Sequence, residues 1–98
     1  MPRTNARKDA NHDDIVRFLR DVGATVQTLH QVGKGCPDVL VGWRGANLLL
    51  EIKDGSKPPS KRQLTPDEGE WHDRWRGQVA IVKSEDDVWK LLNETGTG

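Results

Sequence analysis

Two apolar runs, Val39-Leu40-Val41 and Leu48-Leu49-Leu50, flank the short stretch Arg44-Gly45-Ala46-Asn47, and each run is joined to charge. Asp38 opens the first; Glu51 and Lys53 interrupt the second, on either side of Ile52. The spacing predicts two strands, Asp38 to Trp43 and Leu48 to Lys53, with Arg44 to Asn47 as their turn. If the turn is as tight as Arg44-Gly45 alone, Asp38 lies directly across from Glu51, with Cβ atoms roughly 5 Å apart. Lys53, two residues beyond Glu51, shares that face, and a shift of the pairing by two residues leaves the face unchanged. One end of the ribbon then holds two carboxylates and an ammonium.

Charges inside apolar strands are costly unless they are paired or hold a cation. Two facing carboxylates repel, and a hard divalent ion such as Mg²⁺ or Mn²⁺ removes that penalty. Such an ion polarises a phosphoryl oxygen and lowers the pKa of a bound water, while Lys53 orients the water or steadies charge growing on the phosphate. These parts together suit phosphodiester hydrolysis. The plainer reading makes Asp38 a strand-entry residue and Glu51–Lys53 a solvated edge. The apolar flanks and the alignment across the turn weigh against it.

The rest of the chain predicts an α/β domain. Ile15, Val16, Phe18, Leu19 and Val22 recur at helical spacing over Asp13 to Val22, with Gly23 as the stop. Ala24 to His30 reads as a strand and Gln31 to Pro37 as a loop. After the polar loop Asp54 to Gln63, Thr65, Pro66 and Glu68 spell an N-cap, a first helical position and a capping box for a helix running to about Arg76. Val79 to Val82 reads as a strand covered on both faces. Ser84 caps a last helix carrying Val88, Trp89, Leu91 and Leu92. The order is α-β-β-β-α-β-α: a mixed central sheet flanked by helices. Ninety-eight residues fit one domain. Residues 1–11 are expected as a flexible basic arm (Arg3, Arg7, Lys8) and 94–98 as a flexible tail. The 15 basic and 15 acidic residues balance, which argues against a coat-type nucleic-acid binder. The single cysteine, Cys36, fits a reducing compartment. No apolar run approaches the ~20 residues of a membrane span, so the expectation is a cytoplasmic protein without membrane contact.

Gly35-Cys36-Pro37-Asp38 followed by Leu50-Glu51-Ile52-Lys53 resembles the signature of the PD-(D/E)XK nucleases. Leu64-Thr65-Pro66-Asp67-Glu68 and Gly77-Gln78-Val79-Ala80-Ile81-Val82 are similar to the VRR-NUC branch, the virus-type replication-repair nucleases, and the likeness covers about residues 12 to 92. It implies a restriction-endonuclease-like nuclease domain over 12–93, with Asp38, Glu51 and the main-chain carbonyl of Ile52 on the metal and Lys53 as the catalytic lysine. It also implies Mg²⁺ or Mn²⁺, DNA as substrate, and a structure-selective cut on branched or Holliday-junction-like DNA. A phage or prophage source, and so a bacterial or phage-infected cell, is implied in the same way. The small subunit suggests a homodimer. A non-cleaving DNA-structure-binding module on the same fold is the alternative, and the intact Asp38, Glu51 and Lys53 count against it. The branch often has glutamine where Glu68 stands. Glu68 is therefore an accessory candidate, able to touch Lys53 or a metal-bound water, or only to complete the capping box. Relatives carry an acid early in the first helix, a place that falls at His12 with Asp13 beside it.

Lys57, Lys61 and Arg62, on the loop leaving Lys53, are candidates to grip a backbone phosphate; the competing reading is an ordinary solvated loop. Lys34, between Gly33 and Gly35, is a further candidate, since the glycines permit close approach of a phosphate. The Gly spacing and Lys-Ser/Thr pair of a P-loop are missing, and no nucleotide cofactor is expected. His30, Cys36 and His72 make no zinc pattern, and His72 reads as a surface residue of its helix. Trp71, Trp75 and Trp89 read as core anchors or contacts with a second copy. Trp43 reads as an exposed residue at the hairpin tip.

Overall fold

A computed structural model of the chain describes residues 9–95. Most of the expected basic arm and the end of the tail lie outside them. The elements are α1 (His12–Asp21), β1 (Thr25–Thr28), β2 (Val39–Trp43), β3 (Ala46–Ile52), α2 (Pro66–Arg74), β4 (Ala80–Val82) and α3 (Glu85–Glu94), in the expected order, with a single 3-10 turn over Pro59–Lys61. They form one mixed sheet in the order β1-β2-β3-β4. The first three strands are antiparallel, and β4 lies parallel to β3 after the crossover through α2.

The ribbon closes tightly. Trp43 pairs with Ala46, so the turn is Arg44-Gly45 alone, with φ of 50° and 82°. Two positive φ values are the type I′ geometry that follows the twist of the flanking strands. Ala46 and Asn47, expected in the turn, therefore belong to β3. Val39 stands opposite Leu50 and Val41 opposite Leu48. Strand alternation sends these four, with Ile52 and Val82, to one face, where Ile15, Val16 and Leu19 of α1 and Val88 and Leu92 of α3 bury them. Leu40, Leu49, Glu51 and Lys53 fall on the other face.

Several expectations change. β1 ends at Thr28 because its partner β2 begins at Val39, opposite it. β4 is an edge strand and is not covered on both faces: Ile81 is 44% exposed while Val82 is buried. The helix on that face, α2, covers Glu51 and Lys53 of β3 and leaves Ile81 open. Trp75 and Trp89 are each 43% exposed and anchor no core; Trp89 meets Phe18 edge-on on the outer surface. Trp43 is half-buried, because its indole N–H donates to the Leu92 carbonyl at 3.1 Å and ties the hairpin to α3.

Candidate active site

The site lies where β2 begins and β3 ends, on the face opposite the core. The Asp38 N–H donates to the Leu50 carbonyl at 3.0 Å, and the Ile52 N–H donates to Asp38 Oδ2 at 2.7 Å. Asp38 thus stands just outside β2 with its carboxylate held against the backbone of β3. Lys53 N–H donates to Val82 on the β4 side. The polar groups of successive residues point to opposite neighbours, so the Ile52 carbonyl, like its N–H, turns toward Asp38. Across the ends of β3 and β4, Asn11 Nδ2 donates to the Lys53 and Lys83 carbonyls, at 3.1 Å each, and fixes the start of α1 there.

Glu51 is 1% exposed. Burial raises its pKa, the charges of Asp38 and Glu68 raise it further, and only Lys53 opposes them; the carboxyl is pushed up to about 10. Without a cation, a proton holds this position. Cys36 feels the same cluster: burial, then Glu51 and Asp38, push its thiol up.

α2 supplies the other wall. The Thr65 hydroxyl accepts from the Glu68 N–H, and Glu68 Oε1 accepts from the Thr65 N–H at 2.9 Å, completing the capping box. The same Oε1 lies 2.7 Å from Lys53 Nζ. Glu68 therefore caps the helix and also holds Lys53, so it does not serve the capping box alone. Burial is the largest single influence and works against both charges, but their hydrogen bond, their mutual attraction and the neighbouring groups together outweigh it. Lys53 sits above the usual lysine value and Glu68 below the usual carboxylate range. One turn further along, His72 Nε2 lies 3.4 Å from Glu51 Oε1, with its side chain 14% exposed. His72 is not a surface residue. Burial lowers its pKa, and Lys53 adds to that against the pull of Glu68.

The structure thus gathers Asp38, Glu51, Lys53, Glu68 and the Ile52 backbone. His12 is buried on α1; its Nδ1 meets Asp13 Oδ1 at 3.3 Å and its ring lies edge-on to His30. The Asp13 side chain is 71% exposed. Asp9, just before α1, feels the cluster: burial raises its pKa, Lys53 lowers it and Asp38 raises it. Lys57 and Lys61 are exposed on the loop after β3, and Lys34 on the loop before β2, at a φ of 55°. Arg62 is half-buried and lines a cavity of about 420 Å³ beside Asn11, Asp54 and Lys83. Gly35 does not leave room for a phosphate: a Cβ there would run into the Asp67 carbonyl, so the start of α2 fills that space.

Two residues of the site, His72 and Asp9, were not among the candidates. The signal for His72 was its place four residues after Glu68, one turn along the same helix face. Asp9 lies in a stretch with no apolar period, which gave no reason to fold it against the domain.

No protein-family model and no curated protein matches the sequence. A solved structure described as a VRR_NUC domain is similar, at 27% identity and a TM-score of 0.62, over 86% of this chain and 91% of that one. A likeness that runs through nine-tenths of that domain supports a VRR-NUC nuclease fold for this chain, with its small mixed sheet and three helices.

Proposed function

We propose that the protein is a Mg²⁺- or Mn²⁺-dependent endonuclease that hydrolyses DNA phosphodiester bonds, with Asp38, Glu51 and Lys53 as its catalytic residues. The observation that carries this reading is Glu51, buried beside Asp38 and Glu68 and held near pKa 10. A position that must take up either a proton or a cation suits a metal ligand. The donors at hand, two carboxylates and the Ile52 carbonyl, are all hard oxygens. Among the described residues, no group of three or more His, Cys, Asp or Glu side chains forms a metal cage. Mg²⁺ takes one or two carboxylates and keeps its other positions for water and substrate phosphate.

When bound, the cation supplies Lewis acidity to the phosphate and to the attacking water. The chain's own residues do the rest. The Ile52 N–H fixes the Asp38 carboxylate, and His72 lies against one oxygen of Glu51. Lys53, kept charged and in place by Glu68, donates to the water and offsets charge gathering on the phosphate. Lys34, Lys57 and Lys61, on the loops flanking the ribbon, contact backbone phosphates.

The finer reading is a cut selective for branched DNA, made by a symmetric dimer. Size supports it: two of the domain's three extents are 28 Å, less than one ~34 Å turn of duplex. The test is cleavage of flap, splayed and four-way DNA with Mg²⁺ or Mn²⁺ against a chelator control. The expected result is metal-dependent cutting that Lys53→Ala reduces by about 100-fold or more. Tight DNA binding without cutting under either metal would overturn the proposal in favour of the non-cleaving module.

A further inference from the structure

The end of α2 carries an aromatic feature that the proposed hydrolysis does not use. Trp71 and Trp75 stack with ring centroids 4.6 Å apart and planes 20° from parallel. Trp71 also meets the His72 ring edge-on at 5.9 Å, and His72 touches Glu51. The stack therefore begins one ring away from the catalytic cluster and leads outward. Trp75 forms its outer end. Its indole N–H is held by the Gln78 carbonyl at 3.1 Å, and its edge rests on Gly77, where a Cβ would crowd the ring. The ring is fixed in place yet 43% exposed. Arg74 and Arg76, both exposed, precede and follow it in the sequence, and Arg76 donates to the Asp73 carbonyl at 3.2 Å.

We propose that Trp75 is a stacking platform for an unpaired base of the DNA strand bound at the Asp38–Glu51–Lys53 site. A fixed aromatic face with exposed arginines next to it in the sequence suits a single strand, since every base has a face to stack and every nucleotide a phosphate to pair. A base inside a fully paired duplex offers no such face. The platform thus selects DNA with unstacked nucleotides beside the cut. This inference rests on the nuclease reading for its choice of ligand, but binding tests it separately from cleavage.

The experiment measures binding of fluorescein-labelled oligothymidylate and of a blunt duplex to the full chain in chelator, with cutting assayed separately in Mg²⁺. Trp75→Leu keeps an apolar side chain against Trp71 but lacks the aromatic face; Trp75→Phe restores a face. The platform predicts that Trp75→Leu binds the single strand about ten-fold more weakly, with duplex affinity changed less than about two-fold, and that Trp75→Phe recovers most of the loss. Equal losses on both DNAs, equal affinities for wild type and Trp75→Leu, no binding of single strands by the wild type, or a change only in self-association on sedimentation would each overturn it. If single-strand binding depends on Trp75 but nothing is cut, the platform stands and the nuclease reading falls. If DNA is cut and Trp75→Leu binds normally, the reverse holds.

Discussion

Glu51 shows most plainly what the site costs the fold. Its carboxyl titrates near 10 in the folded chain against an ordinary 4.5. Between those values the unfolded chain has released a proton that the folded chain keeps. The unfolded state then binds fewer protons, so stability declines as pH rises through that window. In chelator, the melting temperature should fall from pH 5 to pH 9, and Glu51→Gln should flatten the decline. At pH 8 the variant should melt about 5 °C higher than the wild type, while losing cleavage. A decline of the same slope in wild type and variant by thermal unfolding would contradict the titration assigned to Glu51. The trio was legible because strand pairing is simple arithmetic: once the turn is Arg44-Gly45, Asp38 falls beside Glu51. His72 was not, because its partner lies 21 residues away and only the angle at which α2 crosses β3 brings them together.

Among the elements, α2 decides whether the cluster is complete. It approaches the loop before β2 so closely that only Gly35, at a φ of 81°, fits beneath Asp67. Its capping box shares Glu68 with Lys53, so the helix start and the proposed catalytic lysine are mechanically one unit. α3 offers an internal comparison: Ser84 caps it by accepting from the Asp87 N–H at 3.1 Å, with no hydrogen bond to Asp38, Glu51, Lys53 or Glu68 among the described residues. Thr65→Ala and Ser84→Ala should each cost about 1 kcal/mol in urea unfolding. Only Thr65→Ala should also cut cleavage at full folding, about ten-fold if near 1.4 kcal/mol of Lys53 positioning is lost. Equal cleavage by the two variants would separate the cap from the site. Both caps were readable, since Thr65-Pro66 with Glu68, and Ser84, have side chains that bond locally. The edge position of β4 was not. An apolar run such as Val79 to Val82 reads the same whether one face or two are covered, and the exposure of Ile81 depends on where α2 stops.

The whole molecule divides its work between the two faces of one sheet. One face is closed by α1 and α3 over Val39, Val41, Leu48, Leu50, Ile52 and Val82; the other carries the cluster under α2 and opens toward Trp75. The same strand β3 serves both, Leu50 and Ile52 on one side and Glu51 and Lys53 on the other, so stability and chemistry alternate residue by residue. The balanced charge of the chain fits an acidic cluster with exposed lysines on the flanking loops. Among the described residues, no helix is long and apolar enough to cross a membrane. The central claim is that the ribbon holds a divalent cation between Asp38 and Glu51. The most direct measurement is Mn²⁺ binding followed by electron paramagnetic resonance of the free ion, on the wild type, Asp38→Asn and Glu51→Gln. Binding by the wild type that both variants lose is the predicted result; binding that survives in both, or is absent from the wild type with DNA present, would contradict it.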